Sequence, residues 1–424
     1  MQILAAIRSP FIRMGTDFAN LSAVDLGREV VAALLARTGI DPAEIDEVIM
    51  GCVCQPVDAA NIARVIALRA GIPKHVPAMT VNRNCASGLE AITTAAERIA
   101  AGRGSLYVVG GVDSMSQVPW LYRQSAIGKF MQLAKARSLG QKFSAAMNFR
   151  PADFSPLIGL KLGLTDPVSG LNMGETAEVL AREFGITRQM QDEFAVNSQL
   201  KAAGAGKFLA DEVTPFFING HVVDRDNGIR GDSSIDKLAK LKPVFDRKTG
   251  SVTAGNSSQI TDGAVALLVA SEQKAHELEK WYGISPIAQL RAYAYAGCDP
   301  KRMGLGPVHA IHKAQHLSGL RLQDADTVEI NEAFAGQVLA CLQALKEPSA
   351  AQHAGCDQAL GEIPEHKLNP HGGAIALGHP VGATGARLVL TAMHTMHQGG
   401  GQKALVSLCI GGGQGAALWL EKME

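Results

Sequence analysis

Aromatic residues are scarce in this chain of 424 residues, at 5%, and an excess of either charge is absent. Forty basic side chains are matched by forty acidic ones, so no bulk field draws the protein to nucleic acid. No apolar run reaches the length of a membrane span. The seven cysteines are odd in number and irregularly spaced, which suits a reducing compartment better than a disulfide framework. Cys52-Val53-Cys54 lacks metal-ligand spacing, and no metal cluster is evident. The start, Met1 to Arg8, reads as a strand without signal-peptide architecture, so the cytoplasm is the expected location. Acidic residues are missing from Ser114 to Ala152, where Arg123, Lys129, Lys135, Arg137, Lys142 and Arg150 interleave with Phe130, Leu133 and Phe143. Such a segment can lie on a membrane or meet a phosphate-bearing ligand. A solvated helix is the simpler reading, and membrane contact is not favoured.

What is present is glycine, 45 of them, in a composition that is 47% hydrophobic. That is a globular α/β composition, and the length suggests two or three domains. Strand and helix patterns alternate from the start: a helix at 24–38, a buried strand Glu47 to Cys52, a helix Ile62 to Ala70, a helix Leu89 to Ala100, and a strand Leu106 to Gly111. The plan then repeats. Thr38-Gly39-Ile40 followed by Asp46 to Met50 returns as Ser318-Gly319-Leu320 followed by Asp326 to Ile330, with the same Gly-to-Asp spacing. Gly382 to Gly385 opens a helix, and Gly399-Gly400-Gly401 leads into the strand Ala404 to Ile410, as Gly102 to Gly104 led into its own. Two similar βα halves follow, with chemistry expected between them near strand ends. The boundaries expected are 1–118 for the first half, completed by 250–275, and 276–424 for the second. A loop domain at 119–249 lies between them, with helices at Gly174 to Phe184 and Arg188 to Gly204.

Four clusters could carry chemistry. Cys85, in Asn82-Arg83-Asn84-Cys85-Ala86-Ser87-Gly88, precedes a helix whose unpaired N–H groups and dipole should lower a thiol pKa. A buried apolar cysteine is the plain alternative. Asn331-Glu332-Ala333-Phe334 ends a strand. Gly372 to Pro380 is a glycine-rich loop presenting His379. Ser407 to Gly413 ends the last buried strand with Cys409. Taken singly these are a capping Asn, a structural His and a core Cys. Together they suggest a nucleophile, a base, a second acid/base and polar orienters. Gly411 to Gly413 is no dinucleotide fingerprint, because a strand follows it rather than a helix.

These residues resemble the thiolase family, and the resemblance runs nearly end to end. Asn82 to Gly88, Asn331 to Phe334, Gly372 to Arg387 and Cys409 to Gly415 match family blocks in the family's order. Val252 to Ser258 with Thr261 to Ala264 match the block lining the coenzyme A tunnel. The resemblance implies a five-layered α/β/α/β/α fold of two similar halves with an inserted loop domain over the coenzyme A site. It implies reversible thiolytic cleavage of 3-ketoacyl-CoA to acetyl-CoA and a shortened acyl-CoA through an acyl-Cys85 intermediate, in fatty-acid β-oxidation. Coenzyme A and acyl-CoA enter as substrates, with no permanently bound cofactor. In this scheme His379 accepts the Cys85 proton, Cys409 exchanges a proton with the acetyl-CoA α-carbon, and Asn331 holds a water of one oxyanion hole. The backbone N–H groups of Cys85 and Gly411 form the other. Ser258 would contact the pantetheine amides, and Met173 and Phe334 would line the acyl pocket unless they simply pack the core.

Asp226 to Arg230, Ala239 to Phe245, the insertion Ser114 to Leu171 and the segment Pro348 to Lys367 resemble the thiolase (β) subunit of fatty-acid oxidation trifunctional complexes. That subunit often has His where this chain has Asn331. Asn172 stands where short-chain biosynthetic members commonly have His. The implied assembly is a homodimer or homotetramer, with a hydratase/dehydrogenase subunit as a candidate partner. The rivals are an acetoacetyl-CoA-specific acetyltransferase, a ketoacyl synthase-type condensing enzyme, and a membrane- or complex-associated scaffold subunit. A ketoacyl synthase needs no second cysteine, so Cys409 speaks against it.

Overall fold

A computed structural model describes residues 1–399 and 401–423. Gly400, inside the expected turn at 399–401, lies outside the described residues. Nine strands form the path of one sheet: β1 (Gln2–Arg8), β2 (Glu47–Gly51), β3 (Ala78–Val81), β4 (Leu106–Asp113), β5 (Thr261–Ala270), β6 (Ala288–Gly297), β7 (Thr327–Ile330), β8 (Lys403–Ile410) and β9 (Gln414–Lys422). Their order is β7-β8-β9-β6-β1-β5-β4-β2-β3, and the two-residue strand Ile12–Arg13 adds to β5. The helices that pack on them include α1 (Ala23–Thr38), α2 (Ile62–Arg69), α3 (Ser87–Ala100), α4 (Gly306–Ser318), α5 (Ala335–Lys346) and α6 (Val381–His397).

The internal repeat is visible in hydrogen bonds. Gly39 and Gly319 end α1 and α4 at φ 66° and 71°, each donating its N–H back to the preceding helical turn. Only glycine takes that left-handed geometry without Cβ strain. The Asp46 carboxylate then accepts from the N–H groups of Ser105 and Leu106, and the Asp326 carboxylate from those of Gln402 and Lys403. Each aspartate thereby ties the start of its own strand to the start of the next parallel strand. The parallel set β3-β2-β4 has its counterpart in β7-β8 plus a single parallel bridge from Val328 to Leu368. Cys85 therefore follows β3 in one half, as His379 follows Leu368 in the other.

Side-chain alternation sorts the strands into layers. On β5, Ala264, Ala266 and Leu268 face one core with α1 and α2, while Val265, Leu267 and Val269 face another with α3 and α6. On β9, Ala416, Leu418 and Leu420 share that same middle core, and Ala417 and Trp419 turn to a third with α4 and α5. The layers therefore run helix, sheet, helix, sheet, helix. Only β1 and β6 join the two sheet halves, through Gln2–Gln289 and Ile3–Ala288. In the middle layer α6 is buried at every residue from Gly382 to Met393, so that stretch turns no face to solvent.

The region expected as a loop domain at 119–249 has two parts. Val118–Thr165 forms a compact unit of its own. It contains helices Gln124–Lys135 and Leu139–Met147, with Lys129 paired to Asp153 at 2.6 Å. Its surface differs from that of an ordinary solvated helix, because Trp120, Leu139, Phe143 and Met147 are exposed beside the basic residues. Asp166 onward, including helices Met173–Glu183 and Arg188–Gly204, belongs to the main body.

Candidate active site

Cys85 sits in the turn between β3 and α3. Asn84, immediately before it, has φ 45°, a left-handed conformation that Asn tolerates better than most residues. Its N–H donates to the Asn82 side chain at 2.9 Å, and its own side-chain amide donates to the Gly411 carbonyl at 2.8 Å. The Ser87 hydroxyl closes the turn, accepting from the Arg83 N–H and donating to the Asn84 carbonyl. Arg83 is held in turn by Glu90 at 2.6 Å and lies over the Tyr295 ring. The thiol is thus presented from a fully bonded turn and remains partly open.

The second wall is the β8–β9 hairpin. Cys409 is the last residue but one of β8, is 1% exposed, and pairs with Gly415 across the hairpin. Gly411, in the turn, is placed so that its backbone N–H favours a Cys85 thiolate, as does the N–H of Cys85 itself. A Cβ at Gly411 would stand 3.4 Å from the Met173 sulfur, which places Met173 at the same spot. Phe334 meets Phe245 edge-on and shares an apolar cluster with Cys409, Met173 and Val252. The structure therefore brings Cys85, Cys409, Gly411, Met173 and Phe334 together. Ser258 lies next to them, donating its N–H to the Ala333 carbonyl while its side chain stays partly exposed.

The expected depression of the Cys85 pKa is not what this environment produces. Burial pushes the thiol up, outweighing the two N–H groups that pull it down, and the Asp113 carboxylate adds to the rise. At rest Cys85 is a thiol, and it would need a base to act as a nucleophile. Cys409 is held well above its ordinary value by burial and then by the Cys85 charge. A neutral thiol there can give or take a proton without leaving a fixed charge beside the substrate.

His379, the expected base, follows the glycine-rich loop that precedes α6. Its N–H donates to the Gln259 carbonyl at 3.0 Å, and Gly378 before it has φ 100° with the space of a Cβ filled by Thr261. Its Nδ1 lies 2.5 Å from the Thr384 hydroxyl. Burial, and then the Arg387 charge, lower its pKa to about 4, so the imidazole is neutral at working pH. Asn331 follows the last residue of β7, with its backbone N–H on the Ser407 carbonyl. It is fully buried, and both polar atoms of its amide lack a protein partner. A buried amide left free in this way suits a water or a substrate oxygen.

Three contributors escaped the sequence reading. Asp113, at the end of β4, accepts from the N–H groups of Val53, Cys54 and Gly382 and from the Cys52 thiol. It ties the first turn of α6 to the loop after β2, and burial raises its pKa to about 6. Glu332 accepts from Ser198, Asn369 and the Ile375 N–H, pinning the loop that leads to His379. Asn84 links the nucleophile turn to the hairpin. A lone acid in an otherwise apolar strand end was the available signal for Asp113. Asn84 and Glu332 lie inside the Cys85 and Asn331 blocks, but nothing in the spacing marked the links they make.

The thiolase N-terminal domain family model matches residues 1–273, and the thiolase C-terminal domain model matches residues 284–422. The chain is 40% identical to the 3-ketoacyl-CoA thiolase of Serratia proteamaculans, over 99% of this chain and 96% of that protein. It is likewise 40% identical to the Escherichia coli protein of that name, over 99% and 96%. Among solved structures it resembles the Bacillus anthracis acetyl-CoA acetyltransferase (37% identical, TM-score 0.85, covering 100% of this chain and 98% of that one). It also resembles the human mitochondrial 3-ketoacyl-CoA thiolase in complex with CoA (35% identical, TM-score 0.84, the same coverage). The chain belongs to the thiolase family.

Proposed function

We propose that this protein cleaves 3-ketoacyl-CoA with coenzyme A, yielding acetyl-CoA and an acyl-CoA shortened by two carbons. The observation that carries this reading is the second buried cysteine, Cys409, beside a nucleophile turn whose sulfur already meets two backbone N–H groups. His379 takes the Cys85 proton, and the thiolate attacks the keto carbon. The N–H groups of Cys85 and Gly411 receive the oxyanion that forms. The bond between the α-carbon and the keto carbon breaks, and its electron pair goes to the acetyl-CoA enolate. That enolate is stabilised by His379 and by a water on the Asn331 amide, and is protonated at carbon by Cys409. Coenzyme A then gives its thiol proton to Cys409 and attacks the acyl-Cys85 thioester, which releases Cys85.

The apolar cluster of Met173, Phe245 and Phe334 supports an acyl substrate at this position. Purified protein assayed on 3-ketoacyl-CoA substrates of increasing chain length tests the reading. Turnover of long chains supports the degradative role. Turnover of acetoacetyl-CoA alone would make the chain an acetyltransferase, the activity named for the Bacillus anthracis structure. Absence of turnover on any substrate would overturn the assignment.

A further inference from the structure

His379 can act as a base only at a ring nitrogen that carries no proton, and a neutral imidazole has one of each kind. The Nδ1 atom lies 2.5 Å from the Thr384 hydroxyl, and that hydroxyl lies 2.9 Å from the Pro380 carbonyl one turn earlier. A hydroxyl has a single hydrogen. If it goes to Pro380, as threonine in a first helical turn favours, then Nδ1 must be the donor and the relay ends on a carbonyl. The reverse orientation would turn the hydroxyl hydrogen away from the Pro380 carbonyl and put the imidazole hydrogen on Nε2, which has no hydrogen-bond acceptor among the described residues. The first arrangement bonds Nδ1, the hydroxyl and the Pro380 carbonyl in one chain, and successive donors along it reinforce one another.

We propose that Thr384 is a positioning residue that fixes the tautomer of His379, holding the proton on Nδ1 and leaving the Nε2 lone pair free as the proton acceptor. Its consequence for catalysis rests on the reading of Cys85 as the nucleophile, but the tautomer itself does not. The arrangement also survives the chemical step. When Nε2 takes the Cys85 proton, the Nδ1–H to Thr384 bond stays in place and the new Nε2–H can face the substrate oxyanion. No hydroxyl has to rotate between the two roles.

The test is nitrogen NMR of the full chain labelled at histidine with nitrogen-15, with His379→Asn identifying the resonance. The expected result near neutral pH is a protonated Nδ1 and a bare Nε2. A protonated Nε2 in the wild type would overturn the proposal, whatever the activity. Thr384→Val keeps the shape and removes the hydroxyl. It should mix the tautomers and lower kcat by roughly a hundredfold, the low end for general-base catalysis, with little change in KM. Thr384→Ser should restore both the tautomer and most of kcat. A Val variant that folds, keeps the wild-type tautomer and keeps kcat would also overturn it. If the Val variant does not fold, the wild-type spectrum and the Ser variant still decide. A correct tautomer in a chain without thiolase activity would sink the functional reading and leave this inference standing.

Discussion

At the scale of single residues, the two cysteines divide the work in a way that can be separated. Cys85→Ala should abolish acyl-enzyme formation from acyl-CoA, followed by mass spectrometry. Cys409→Ala should still be acylated but lose thiolysis, because its part is proton exchange at carbon. Full thiolysis by the Cys409 variant would refute that division. Asn331→Ala should lower kcat by about 10²–10³, the cost of a lost oxyanion donor in acyl transfer. His379 also sets a pH dependence of stability. Its folded pKa of about 4 lies below that of an unfolded histidine, so between about 6.5 and 4 the unfolded chain takes up a proton that the folded one refuses. Stability should fall across that window, by up to about 3 kcal/mol, an upper bound because part of the ring is open to the site. Asp113 acts with the opposite sign, since its folded pKa of about 6 lets the native state bind a proton first as pH drops. Urea unfolding of His379→Asn against wild type at pH 7 and pH 5 isolates the histidine, and the variant should lose less stability on acidification. Cys85, His379, Cys409 and Asn331 could be found in the sequence because each stands in a glycine-rich or strand-end block. The direction of the Cys85 pKa could not, because the burial and the Asp113 charge that raise it come from distant stretches.

At the scale of elements, the site depends on how closely α3 crosses α6. A Cβ at Gly385 would lie 2.7 Å from the Leu89 backbone nitrogen, and one at Gly88 would lie 2.9 Å from both the Ala386 nitrogen and the Gly382 carbonyl. Backbone cannot yield as a flexible side chain can. Gly385→Ala gains about 1 kcal/mol of helix propensity but incurs overpacking of typically 1–3 kcal/mol, so the crossing should lose. A lower urea midpoint with an unchanged slope would show this, and an unchanged or higher midpoint would contradict it. Most helices and strands could be read from periodicity, and the two halves from their shared glycine and aspartate. The sequence did not show that Asp46 and Asp326 carry the repeat by bonding the N–H groups of the next strand. Nor did it show that α6 is enclosed on all sides.

At the scale of the whole molecule, three cores separated by sheet imply unequal resistance to opening. The middle core holds α3 and α6 between strands of both halves, whereas within Val118–Thr165 most side chains are exposed. Amide hydrogen exchange follows such differences, because a buried amide exchanges only when its surroundings open. The amides of Ile92 to Ala95 and Leu388 to Met393 should exchange last, at the free energy of global unfolding. Those of Gln124–Lys135 should exchange through local opening. Equal protection in the two regions would contradict this ranking. Cys85 and His379, the proposed nucleophile and base, lie just before the two helices that would release their hydrogens last. Mild heat or denaturant should therefore loosen the periphery while Cys85 and His379 keep their places, and alkylation of Cys85 should remain base-assisted until the molecule unfolds as a whole.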